Sequence, residues 1–143
     1  MGNGGFSKMQ SKSKFIVVDH YAKRAGKHQD IRFKKPNSKI WDSFAVRKGV
    51  PLEAGPKVLA VKTHDHSKEE ALFIGVINTG YGAGKLIKFD DGTCTIEKYS
   101  TAHMAVRFNG RKVKGLYHFV STKVTKMKGT KITEYFLFKG KVQ

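Results

Sequence analysis

The sequence predicts a mainly β, single-domain protein: a small antiparallel β-barrel with one or two short helical turns. Three observations lead there. Ten short runs rich in Val, Ile, Phe, Tyr and Thr follow one another, Gly, Pro, Asn and Asp punctuate them, and no long helical periodicity lies between. Strands so closely spaced leave no room for crossover helices, so a sandwich or closed barrel is expected in place of a βαβ fold.

The elements follow in order. Residues 1–14, MGNGGFSKMQSKSK, carry three Lys, no acid and little to bury, and are expected to form a flexible basic arm before a folded domain of residues 15–143. Phe15–Val18 is the first apolar run, and Tyr21–Lys27 is short enough for a helical turn. Ile31–Lys34, Ile40–Val46 and Val58–Lys62 come next, separated by Pro36-Asn37, Pro51 and Gly55-Pro56. Lys68–Ala71 is the second candidate helical turn, ahead of a run at Leu72–Ile77. Lys85–Phe89 and Thr93–Lys98 flank Asp91-Gly92, the strongest hairpin signal in the chain. Met104–Phe108, Leu116–Ser121 and Glu134–Lys139 complete the set, with turns at Asn109-Gly110 and Gly129.

Charge narrows the partners. Of 143 residues, 28 are Lys or Arg and 11 are Asp or Glu, a formal charge of +17, which favours polyanions through counterion release and steering. Residues 107–143 hold ten bases and one acid, so that third is the expected polyanion face. The single cysteine, Cys94, excludes an internal disulfide and a multi-thiolate zinc site, and it reads as packed. With no apolar run of ~18 residues and no signal core, the expectation is a soluble protein, cytoplasmic or nucleoid-associated, with no membrane partner.

Chemistry concentrates in His28-Gln29-Asp30-Ile31-Arg32-Phe33. If extended, it places His28, Asp30 and Arg32 on one face and Ile31 and Phe33 on the other. Imidazole and carboxylate ligate divalent ions, and a guanidinium holds two phosphate oxygens at once. The same alternation also fits a half-exposed strand whose polar side faces water. His20 closes the first run and can return beside His28 as a third ligand, and His66 follows the Val58–Val61 run within His64-Asp65-His66. His103 and His118 read as structural or exposed. Gly80–Lys85 ends in Gly-Lys, but it lacks the P-loop spacing and precedes a strand, so it reads as a tight turn.

In this order the pieces resemble the 3′-phosphoesterase domain family of DNA ligase D, which also occurs as a stand-alone form. Phe15–His20 is similar to the family's opening strand with its metal histidine, and His28–Phe33 resembles its His-Tyr-Asp-Phe-Arg. Trp41–Gly49 is similar to the family's Ser-Trp-Ala-Val-Pro-Lys-Gly stretch, with the aromatic and Lys-Gly retained. Lys57–Val61 with Asp65-His66, Phe73–Gly75 with Tyr81–Gly84, and Val113–Gly115 with Tyr135–Lys139 echo later motifs. The resemblance implies a manganese-dependent enzyme, or one using another divalent metal, that trims 3′ ends of DNA in end repair. A terminal ribonucleoside leaves by a diesterase step and the remaining 3′-phosphate by a monoesterase step. It also implies that His20, His28 and Asp30 hold the metal, that Arg32 and His66 contact the scissile phosphate, and that Lys48 touches that phosphate or the strand. DNA or primer–template 3′ ends, some containing RNA, are the implied substrate, with a ligase or polymerase of an end-joining pathway as partner.

The departures are specific. His20 and His28 lie two residues further apart than in the family pattern, so Tyr21–Lys27 must bulge or lengthen. The acid before Asp-His is His64, a phosphate-contacting tyrosine falls on Glu70, and an arginine before Leu-Ala-Val is Val58. A carboxylate at Glu70 repels phosphate unless it is protonated, turned away or bound to a cation. The alternative reading is therefore a catalytically reduced or inactive basic barrel that binds nucleic acid. A ribosomal-type RNA-binding protein explains charge and size but gives the His/Asp/Arg array no purpose.

Overall fold

Alternation along the first strands decides which side of the sheet turns inward. Phe15 and Val17, Ile31 and Phe33, Phe44 and Val46 sit every second residue, and with Val106, Phe108, Phe119 and Leu137 they fill one interior. The computed structural model describes residues 10–80, 83–127 and 130–141, with the side chains of 123–127 and 130–132 outside that description.

Nine strands and one short helix are present among the described residues: β1 (Ser11–Ala22), β2 (Gly26–Lys34), β3 (Trp41–Val46), β4 (Lys57–Lys62), α1 (Lys68–Leu72), β5 (Gly75–Ile77), β6 (Gly84–Tyr99), β7 (His103–Asn109), β8 (Lys114–Met127) and β9 (Thr130–Lys139). Neighbours run β1-β2-β3-β4-β9-β8-β7-β6, and β1 pairs back to β6. That pairing closes an eight-strand antiparallel barrel, with β5 added outside on β6. Closure leaves those eight strands without a free edge. No described helix is long and apolar enough to cross a membrane.

A second, smaller apolar cluster lies on the outside of β1, where Ile16, Val18 and Leu86 pack under Trp41 and Ala71 of α1. His20 continues that outward row, so the chemistry gathers on the barrel wall beside α1 and not within the lumen.

Local signals were overruled in four places. Asp91-Gly92 is not a hairpin turn: the two runs expected on either side of it form the single strand β6. Twelve-residue β1 offers β6 a continuous partner from Ala22↔Gly84 to Ser11↔Ile96, with one bulge at Phe89. The carboxylate of Asp90 accepts N–H groups of Asp91, Arg111, Lys112 and Val113 at 2.7–3.1 Å, so it organises the β7–β8 turn instead.

The expected arm of residues 1–14 does not extend over Ser11–Lys14. Ser11–Lys14 belong to β1, opposite Thr93–Ile96, because pairing satisfies their backbone groups; residues 1–9 lie outside the described residues. Tyr21–Lys27 is no helical turn either, since β1 and β2 extend to Ala22↔Gly26. Leu72 ends α1, and only Gly75–Ile77 of the expected Leu72–Ile77 run is strand. The other helical turn is present as α1. In the Gly80–Lys85 turn, residues 81 and 82 lie outside the described residues, while the Ala83 N–H donates to the Gly80 carbonyl at 3.1 Å.

Candidate metal and phosphate site

The lengthened β1–β2 hairpin solves the spacing problem set by the sequence. His20 lies directly opposite His28, and Val18 opposite Asp30, so the two extra residues extend the ladder and leave both rings on the same face. Their centroids are 4.7 Å apart. Asp30 sits between them: Oδ2 is 3.2 Å from His20 Nδ1, and Oδ1 is 3.1 Å from His28 Nε2.

One ligand atom from each of His20, His28 and Asp30 can be chosen so that all lie within 4.8 Å of one another. Two imidazole nitrogens and a carboxylate oxygen at that separation suit a divalent ion that accepts mixed N/O ligands. His20 and Asp30 are buried and His28 partly so, which limits competition from solvent. Burial pushes the Asp30 carboxyl up, but hydrogen bonds with His20 and His28 and the charge of Arg32 outweigh it and hold the group well below the ordinary carboxylate range.

Arg32 is buried in the same cluster. Its Nη2 donates to Asp30 Oδ2 at 3.1 Å, Nε to Ser43 Oγ at 3.2 Å, and Nη1 to the carbonyls of Ala71 at 3.0 Å and Glu70 at 3.3 Å. Much of the fork is thus committed to holding α1 against the barrel.

His66 reaches this region through a bridge that ties its backbone to Trp41 by two hydrogen bonds of 2.9 and 3.0 Å. Burial above all, then the charges of Arg32 and His64, push its imidazole down to about 4, so the ring is neutral near pH 7. Its Nδ1 is buried and makes no hydrogen bond among the described residues; Glu70 Oε1, at 3.8 Å, is too distant for one.

Glu70 itself is occupied. It is the third residue of α1, where Oε1 accepts the Ser67 N–H at 2.9 Å while Ser67 Oγ accepts the Glu70 N–H at 3.2 Å, a reciprocal capping box. The position that the resemblance gives to a tyrosine serves here as a helix cap.

Lys48 stands just past β3, exposed, in a cleft that it shares with His28. His103 and His118 are distant in sequence from the cluster and contact each other, Nε2 to Nδ1, at 2.9 Å. Cys94 is buried, with its thiol pushed up to about 12 by burial. Of the bases expected to form a C-terminal polyanion face, Lys123, Lys126, Lys128 and Lys131 lie outside the described side chains, and Arg107 is ion-paired with Glu97 at 2.7 Å.

Sequence reasoning missed Ser43 and Gln29. Ser43 anchors Arg32 because Arg32↔Ser43 is a cross-strand pair, which only the register reveals. Gln29 bonds Asp19 and the Val50 N–H, and nothing local announces that role.

The model for the DNA ligase D 3′-phosphoesterase domain matches residues 18–121. Multifunctional non-homologous end joining protein LigD of Mycobacterium bovis is 35% identical over 113 residues, covering 76% of this chain and 14% of that protein. The similarly named proteins of Mycolicibacterium smegmatis and Pseudomonas aeruginosa are each 34% identical, over 81% and 90% of this chain and 16% and 15% of their own lengths. The chain therefore spans roughly one sixth or less of the curated relatives it matches.

Proposed function

Because this chain belongs to the DNA ligase D 3′-phosphoesterase domain family, we propose that it is a divalent-metal-dependent hydrolase that processes the 3′ ends of DNA. The family and its end-joining relatives support a role in DNA repair. The observation that supports the finer reading is the His20–His28–Asp30 cluster, with its ligand atoms within 4.8 Å and Arg32 bonded to the same carboxylate.

In this reading His20, His28 and Asp30 hold Mn²⁺ or a similar ion. Such an ion, when bound, supplies Lewis-acid stabilisation to phosphoryl oxygens and eases ionisation of water, an effect of several kcal/mol. The charges of Asp30 and Arg32 cancel, so a divalent ion leaves the centre at about +2, suited to a terminal phosphate of about −1.5 to −2. Arg32 is fixed by Ser43, Asp30 and the α1 carbonyls before substrate arrives, so its charge costs no reorganisation during reaction. Neutral His66, whose Nδ1 is buried and makes no hydrogen bond among the described residues, contacts a phosphoryl or leaving oxygen through its ring in this reading. Lys48 adds a cation for the same phosphate or the strand. The product, a clean 3′-hydroxyl, is what a ligase or polymerase of end joining consumes.

The competing reading, a barrel that grips nucleic acid without turnover, draws on the engagement of Arg32 with α1. One assay separates them: the protein with Mn²⁺ and two labelled primer–templates, one ending in a single 3′-ribonucleotide and one in a 3′-phosphate. We expect both ends to be processed, and His28→Ala or Asp30→Ala to abolish turnover while duplex binding persists. Two unaltered ends on a bound duplex would sink the hydrolase reading.

A further inference from the structure

On the β3 side of the histidine pair the sheet ends in a basic cleft. Gln29 pairs with Val46, the last residue of β3, so the chain leaves the sheet beside His28 and runs through Arg47, Lys48 and Gly49 before Val50 is buried. Gln29 holds that turn down: Oε1 accepts the Val50 N–H at 2.8 Å, and Nε2 donates to Asp19 Oδ1 at 3.0 Å. Gly49, at φ +86, sits so close that an added Cβ would lie 3.4 Å from Gln29 Oε1. Above this floor is an open cleft of about 250 Å³, with Lys27, Arg47, Lys48 and His28 in its walls.

Its charge is one-sided. Lys27, Arg47 and Lys48 are exposed, and none of the three forms an ion pair among the described residues. Lys35, Lys62, Lys88 and Arg107 are matched with carboxylates, but with 28 bases to 11 acids many exposed bases are not, so what marks these three is their convergence on one cleft beside His28. The one carboxylate in the cleft, Asp19, already accepts from Gln29. Three cations held without neutralisation around a polar floor form an anion site, and a volume below the ~300–1,000 Å³ of small-molecule pockets suits a length of backbone better than an enclosed metabolite.

We propose that the cleft is a second phosphate subsite, which takes the phosphodiester next along the strand from the reacting end. Lys27 and Gln29 alternate to the other face of β2 from His28, but β3 ends at Val46 beside them and His28 lines the cleft as well as the cluster, so a strand whose end is seated at the cluster passes over that sheet edge toward Lys27 and Arg47. The proposal rests on the end-processing reading, and its test keeps the two apart.

The probe pair is a 3′-phosphate-ended oligonucleotide and a nucleoside 3′-monophosphate, which has no second phosphate. For the Lys27→Ala/Arg47→Ala double variant of the full chain with Mn²⁺, we expect KM for the oligonucleotide to rise about tenfold with kcat within about twofold, against less than about twofold in KM for the monophosphate. With an unreactive 3′-hydroxyl single strand, the slope of log K on log salt should shrink by about 0.7 per lost contact, and the Lys27→Arg/Arg47→Lys swap should restore it. Equal KM losses on both substrates, or an unchanged salt slope, overturn the subsite. If the unmodified chain releases phosphate from neither substrate, the end-processing reading fails, and the salt slope alone still decides whether the cleft binds backbone phosphate.

Discussion

At Glu70 one side chain separates two consequences of a single substitution. Its carboxylate caps α1 through the Ser67 N–H and stands 3.8 Å from His66 Nδ1, so it adds negative charge near the expected phosphate position while serving the helix. Glu70→Gln keeps an acceptor for the cap and removes the charge. KM for a 3′-phosphate-ended oligonucleotide should fall by about two- to threefold at low salt, an effect that shrinks as salt rises. Steady-state kinetics at two ionic strengths check this; an unchanged KM would mean that the carboxylate is electrically remote from the substrate. Of the residues singled out in the sequence, His28, Asp30 and Arg32 were legible as one face because period-two alternation is local, whereas His20 was reached only as a residue able to return beside His28, since its place depends on the β1–β2 register. Ser43 and Gln29 were not, because their roles depend on which strand lies alongside.

At the scale of the hairpin, Asp90 ties β6 to the β7–β8 turn. Its carboxylate is 4% exposed and accepts four backbone N–H groups. Burial raises its pKa, but the N–H groups of Val113, Lys112, Arg111 and Asp91 outweigh that and hold it below the ordinary value of 3.8. A carboxylate lowered in the folded state stabilises the fold fully above the unfolded value, and that contribution is lost as pH falls through the lowered one. Asp90→Asn should therefore cost about 2–3 kcal/mol near neutrality. The gap from the unmodified chain should close in acid below pH ~3.8, as read from urea unfolding across pH. A gap independent of pH would contradict the role of the charge. The Asp91-Gly92 signal misled at this same place: a two-residue turn is a local preference, whereas β6 has a twelve-residue partner in β1.

Barrel closure is a property of the whole molecule, and it runs through Gly84. At φ +148, an added Cβ there would fall 2.2 Å from the Tyr21 carbonyl oxygen, across the seam where β6 meets the β1–β2 hairpin that carries His20 and His28. Gly84→Ala must push the seam apart or strain it, at a cost on the order of 3 kcal/mol. We expect a lowered melting temperature together with weakened Mn²⁺ affinity, measured by thermal unfolding with and without the ion. Loss of stability with full metal affinity would show that the seam and the cluster are mechanically independent.

The sequence by itself determined the class of the fold, the net charge of +17 and the identity of the clustered groups. Composition sets net charge, period-two patterning sets strand faces, and both can be read without knowing neighbours. Tertiary structure alone decided that His20 and His28 face each other across a lengthened hairpin, that Arg32 clamps α1, and that Glu70 caps a helix. It also decided that Lys27 and Arg47 share a cleft with His28. Each of these depends on register and on distances between residues remote in sequence, and those are fixed only when the eight strands close into a ring.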